Sequence, residues 1–158
     1  VYKMVSVEDY DAQILDRIKI SGNAQKVSTP GKKQVWRITD TKDGKSEGDY
    51  ITLSTEDPRE EKSIYMFHPN YTYINKTVEN FDAEPLLKTI YRDGKLVYDR
   101  PNLSQISEYA EKELAALWAE YRRELNPQKY PVDLSQKCWD NKRDIIEKVR
   151  NYVQQIKY

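Results

Sequence analysis

One histidine and one cysteine occur among 158 residues, and both scarcities narrow the chemistry. A lone thiol, Cys138, excludes an internal disulfide and any zinc site built from several cysteines. With His68 as the sole imidazole, few hydrolytic or metal sites can be assembled. No apolar run approaches the roughly 18 residues that span a bilayer. The opening Val1–Glu8 is too short and too polar for the apolar region of a secretory signal. Charge of one sign is missing too: 26 Lys+Arg balance 26 Asp+Glu. That balance removes the strong electrostatic argument for nucleic acid or an anionic membrane as partner. Together these exclusions point to a cytoplasmic location.

What is present is aromatic and charged. Thirteen tyrosines, three tryptophans and two phenylalanines supply anchors that disordered chains lack, although charged residues reach 33%. The length suits one domain or part of a larger one, with a modest core that needs neither disulfide nor metal. The chain opens on Val rather than Met and enters at once in a strand-like alternation. Native termini are more often loose, so the chain reads as a piece of a longer one.

The alternation Val1–Val7 predicts a strand, and Ile14, Ile18 and Ile20 lie in a second extended run ending at Ser21-Gly22-Asn23. Thr29-Pro30-Gly31 is a sharp turn. Lys33–Thr39 predicts a strand with Trp36 and Ile38 inward, and Asp43-Gly44 connects it to a strand over Asp49–Ser54. Thr55–Lys62 reads as a charged loop, and Ser63–Val78 as two short strands or an irregular aromatic arm. The clearest hairpin pairs Leu86–Arg92 with Lys95–Tyr98 around Asp93-Gly94. From Asn102 the period changes. Leu103, Ile106, Ala110, Leu114, Leu117, Tyr121 and Leu125 form one helical stripe, with Asn102 and Gln105 as a capping box. That predicts a helix over 103–125, ended by Asn126-Pro127. Asn126–Leu134 reads as an ordered linker, and Ser135 caps a last helix over 135–157 bearing Cys138, Ile145, Val149, Tyr152 and Ile156. The expected class is α+β: a β-rich N-terminal two-thirds of hairpins, then two amphipathic helices. Its divisions are 1–20, 21–100 and 101–158.

No catalytic constellation emerges from these residues. His68, amid aromatics, lacks a visible partner to orient it, so a packed histidine outweighs a general base. Cys138, beside Trp139 on a helix face, reads as a buried, inert thiol. Glu60-Glu61 and the Asp40, Asp43 pair read as solvated loop carboxylates. Lys26, Lys32, Lys33 and Arg37 cluster around Gly31 and could hold a phosphate beside free backbone N–H groups. Yet no helix start or Walker pattern follows, and a solvated basic turn is the simpler reading.

The order of the text is more informative than any single group. Lys26-Val27-Ser28-Thr29-Pro30-Gly31-Lys32-Lys33-Gln34-Val35-Trp36-Arg37-Ile38 resembles the C-terminal part of bacterial nicotinate phosphoribosyltransferases. Val1-Tyr2-Lys3-Met4-Val5, Ile18-Lys19-Ile20-Ser21 and Glu47-Gly48-Asp49-Tyr50 agree in order. So do Pro85-Leu86-Leu87, Asp93–Tyr98 and Tyr121–Ser135. The resemblance covers essentially the whole chain.

The resemblance implies a parent enzyme of the type II phosphoribosyltransferase α/β-barrel kind. It would couple nicotinate to 5-phosphoribosyl 1-pyrophosphate, driven by ATP with Mg²⁺ on the pyrophosphate. A homodimer is implied, with no nucleic acid and no membrane. The family's phosphorylated barrel histidine sits in a Gly-Thr-x-Ala-His-like segment that His68 does not match. Its Gly-rich phosphate loops and carboxylate-binding arginine would lie before Val1, within roughly 330 further residues by typical barrel size. Residues 1–20 would then continue the barrel sheet, and the remainder would form a mainly structural cover that also supports the dimer. No catalytic residue, metal or cofactor is expected in this portion itself. Some relatives carry a cysteine metal knuckle, which Cys138 alone cannot form. Lys32, Lys33 and Arg37 are the candidates for a phosphate-proximal role. The competing reading is a stand-alone module whose Tyr-rich arm and basic turn bind single-stranded nucleic acid or a protein.

Overall fold

The computed structural model describes residues 3–23 and 26–156. Among these residues ten strands and three α-helices follow in order. β1 (Ser6–Glu8) and β2 (Ile14–Asp16) form a small antiparallel hairpin of their own. The alternation from Val1 thus yields a strand only at its end; Val1 and Tyr2 lie outside the described residues. Val5 instead uses its carbonyl to accept from the N–H groups of Arg17 and Gly31.

The main sheet has six strands, β3 (Lys33–Asp40), β4 (Ser46–Leu53), β5 (Ser63–Phe67), β6 (Asn75–Glu79), β7 (Phe81–Pro85) and β10 (Val132–Leu134), ordered β6-β5-β10-β4-β3-β7. β6 and β7 stand at opposite edges, yet only Asn80, at φ 54°, separates them in the chain. The two edges therefore meet at that corner, and the sheet curls into a half-barrel. Period-two alternation sends one side chain set inward. Trp36 and Ile38 from β3, Tyr50 from β4, Ile64 and Met66 from β5 and Val78 from β6 form the inner core, flanked by Phe81 and Ala83 of β7. The expected inward pair of β3 is the one observed.

The outer face is covered by α3 (Gln136–Ile156). Phe67, Leu134 and Cys138 are buried there against Ile51, Leu53 and Trp139, with the Phe67 and Trp139 rings edge-on at 6.3 Å. Ser135 caps this helix, its Oγ accepting from the Cys138 N–H at 3.1 Å. Residue 157, the expected helix end, lies outside the described residues. Only the first turns of α3 reach the sheet; Val149, Tyr152, Val153 and Ile156 are exposed.

Four further features depart from the sequence reading. Asn126–Leu134 is not merely a linker: its last residues become β10, parallel to β4 and antiparallel to β5. β7 is a strand that the sequence pattern does not indicate. The run Leu86–Ile90 is not a strand of the small hairpin, where only β8 (Tyr91–Arg92) and β9 (Lys95–Leu96) pair. Leu86 donates instead to the Val35 carbonyl, and Leu87 to the side chain of Gln34, so this stretch stays attached to β3. The Asp93-Gly94 turn itself has φ of 50° and 74°, as a type I′ turn requires.

The helix over 103–125 is also interrupted. α1 covers Leu103–Ala116, and a short α2 covers Ala119–Arg122. Leu117 and Trp118 between them are extended, with ψ of 142° and 150°. Two local contacts favour the break. Lys45 donates to the Ala115 carbonyl at 2.7 Å, satisfying an orphan acceptor at the end of α1. Beyond it, Tyr121 turns edge-on to Tyr130 with centroids 5.5 Å apart. No residue of α1 is buried.

Candidate functional site

The basic turn is built by close backbone approach. Gly31 lies at φ 88°, and a Cβ there would come within 3.0 Å of Asp16 Oδ2 and of Leu53 Cδ2. Asp16 in turn accepts from the Asn141 amide at 2.7 Å, so the β1–β2 hairpin, the turn and α3 converge on one glycine. Lys33 is half-buried in this junction. Its ammonium donates to the Thr29 carbonyl at 2.7 Å and to that of Gly31. Burial pulls its pKa down, with the nearby Cys138 and Asp16 opposing. Lys33 thus closes its own loop. Lys32, next to it, is exposed, and its ammonium has no partner among the described residues.

Arg37, four residues along β3 from Lys33, lies on the same outward face. Its Nε donates to Asp49 Oδ1 at 2.7 Å, its Nη1 pairs with Glu113 of α1, and its guanidinium lies 5.7 Å from the Tyr130 ring centre. Burial opposes the charge, but the Asp49 hydrogen bond and neighbouring anionic groups outweigh it and raise the pKa. Tyr130 donates to Asp49 at 3.1 Å and shares a hydrogen bond with Ser46 at 2.6 Å. The set clasps α1 and the 126–131 segment to the sheet. Sequence order did not reveal it, because Asp49, Glu113 and Tyr130 are far apart in the chain.

The remaining candidates are placed for structure. His68 Nδ1 accepts from the N–H groups of Asn70 and Tyr71, both at 3.1 Å, and its ring stacks on Tyr71 at 5.0 Å. The imidazole therefore holds the turn between β5 and β6. Cys138 is fully buried, and burial raises its thiol pKa to about 11, opposite to what a nucleophile needs. Asp133, unremarked in the sequence, is buried on β10, and burial pushes its carboxyl up while Lys76 and His68 pull it back. Glu60 and Glu61 are exposed, as expected, at the rim of an open cleft. Among the described residues no three His, Cys, Asp or Glu side chains are grouped to hold a metal ion, and no helix is long and apolar enough to cross a membrane.

A curled sheet clasped to surface helices, with polar residues committed to holding elements together, defines a β-rich domain of the α+β class. The sequence model of the nicotinate phosphoribosyltransferase C-terminal domain matches residues 32–142. The chain belongs to the nicotinate phosphoribosyltransferase C-terminal domain family. It is 44% identical to the Bacillus subtilis nicotinate phosphoribosyltransferase over 155 residues, 98% of this chain and 31% of that enzyme. To the Mus musculus enzyme it is 31% identical, covering 87% of this chain and 24% of that one. The crystal structure of human nicotinic acid phosphoribosyltransferase superposes with a TM-score of 0.64 at 25% identity, over 77% of this chain and 23% of that chain. The chain thus spans under a third of the length of these relatives. Family membership leaves the stand-alone binding module without support.

Proposed function

We propose that this chain acts as the C-terminal domain of an enzyme that forms nicotinate mononucleotide from nicotinate and 5-phosphoribosyl 1-pyrophosphate. The activity follows the relatives' name, and the use of ATP and Mg²⁺ follows from the family resemblance alone. Positioning the nicotinate nitrogen and neutralising the departing pyrophosphate would be the task of the rest of the enzyme. This domain's own task is to cover and brace it, and to support a cytoplasmic homodimer.

The observation that carries this reading is the uncovered apolar stripe of α1. Leu103 is 82% exposed, and Ile106, Tyr109 and Leu114 are about half exposed. A helix whose apolar face is open throughout is made to be covered. Assay of the full-length enzyme tests both parts. Nicotinate mononucleotide should accumulate only with nicotinate and the phosphoribosyl donor, and Leu103→Asp with Ile106→Asp should lower the melting temperature or release protomers. Full stability of that double variant would remove the covering role.

Lys32, Lys33 and Arg37 remain the proposed phosphate-proximal set, with Lys32 the cleanest probe because the other two hold the fold. Lys32→Ala should raise the KM for ATP or the phosphoribosyl donor. Unchanged constants for both would remove that role.

A further inference from the structure

His68 holds the turn between β5 and β6 through one side-chain atom. The chain leaves β5 as His68-Pro69-Asn70-Tyr71, and Nδ1 accepts from the N–H groups two and three residues on, those of Asn70 and Tyr71. Asn, Asp and Ser oxygens ordinarily fill this local role. Backbone bonds close the rest of the arm. The His68 N–H donates to the Ile74 carbonyl at 2.9 Å, the Ile74 N–H donates to the Tyr71 carbonyl at 2.8 Å, and the Asn75 amide reaches the Thr72 and Tyr73 carbonyls. Tyr71, Tyr73 and Ile74 are exposed, so burial adds little to the hold of the imidazole.

A ring nitrogen that accepts hydrogen bonds carries no hydrogen of its own. The bonded imidazole is therefore neutral, with its single hydrogen on Nε2. A further proton can go only to Nδ1. It would turn the acceptor into a donor and set an N–H against the N–H groups of Asn70 and Tyr71. Amide, carboxylate and hydroxyl oxygens in this role keep accepting between about pH 5 and 8, whereas histidine ordinarily changes charge there. His68 is also the one histidine of the chain. Around it lie Tyr71, whose ring is 5.0 Å away, Asp133 of β10, which interacts with both His68 and Lys76, and Lys76 of β6, which is paired with Glu47 of β4. Asp133 attracts an imidazolium and Lys76 repels one, but neither restores an acceptor at Nδ1.

We propose that His68 makes the turn between β5 and β6 a proton-operated latch. With a neutral imidazole the latch is closed. Protonation at Nδ1 releases the Asn70 and Tyr71 N–H groups and frees the arm over residues 69–74, with Tyr71 and Tyr73 on it. The sign follows from linkage. The open arm accepts a proton at Nδ1 and the closed arm does not, so proton binding draws the equilibrium open. The closed form is therefore favoured above the ordinary histidine range, near pH 6.5, and is lost as the pH falls below it.

The test is hydrogen exchange of the full-length enzyme, read by mass spectrometry on peptides covering residues 68–74 and corrected for the intrinsic pH dependence of exchange. From about pH 7.5 to about pH 5.5, protection of this arm should fall about tenfold, the effect of one linked proton over the pH unit below the histidine range. β5 and β6 should keep their protection. His68→Asn puts an oxygen acceptor in the same place without a titrating nitrogen, and should leave the arm equally protected at both pH values. Asp133→Asn should leave the wild-type loss in place. Equal protection of the wild-type arm at both pH values would overturn the proposal, whether or not the variants fold. So would a loss that persists in His68→Asn or disappears in Asp133→Asn, since another group would then be the one that titrates.

Discussion

At the scale of single residues, buried polar groups govern how this domain responds to pH and substitution. Asp133 holds its proton more tightly folded than unfolded, because burial disfavours its charge. Stability must therefore fall as pH rises from the ordinary carboxylate range through the raised value. Asp133→Asn should melt above the wild type at pH 7, and the gap should close as the pH is taken below the ordinary carboxylate range; thermal scans across pH read this directly. Arg37 is the opposite case, since its charge is met by Asp49 and Glu113. Arg37→Ala strands Asp49 against the sheet and should cost about 2 kcal/mol in urea unfolding, in line with charged hydrogen bonds lost in a partly buried setting. Arg37→Lys should recover only part of this, because an ammonium cannot reproduce the guanidinium fork.

At the scale of elements, what could be read depended on whether the signal was local. Trp36 and Ile38 alternate with polar neighbours, so β3 and its inner face were legible. Asn102 and Gln105 cap α1 as the text implied: the Gln105 N–H donates to Asn102 Oδ1 at 3.0 Å, and the Asn102 N–H to Gln105 Oε1 at 2.8 Å. Asn102→Ala should cost about 1 kcal/mol and speed hydrogen exchange in the first turn of α1. The break at Leu117-Trp118 was not legible, because Leu117 and Tyr121 continue the same spacing as the stripe before them. Its causes, Lys45 and Tyr130, belong to distant parts of the chain. β10 was obscured by Pro127 and Pro131, which read as a linker, although Val132, Asp133 and Leu134 alternate as a strand should. The clasp around Arg37 was only half visible: its basic member stood out, its carboxylates did not.

At the scale of the whole molecule, β10 decides which pieces can be removed. It lies between β4 and β5, so deletion of residues 101–158 does more than strip helices from the surface. It splits the sheet into a β4-β3-β7 part and a β5-β6 part, each with a bare central edge. The full-length enzyme carrying that deletion should become insoluble or melt far lower before any defect in chemistry can be measured. Ending the chain after residue 145 keeps β10 and the buried turns of α3, and should be much milder; comparing soluble yield and melting temperature of the two truncations separates sheet completion from helix cover. The same placement bears on the order in which the domain is made. β4 and β5 follow one another from the ribosome but cannot close ranks, since the slot between them is filled by residues 132–134, about eighty positions after β4. Long-range pairing of this kind is slow to form. The nascent chain must hold an open slot while those residues are made, and closure of the half-barrel follows the arrival of β10 rather than nucleating the rest.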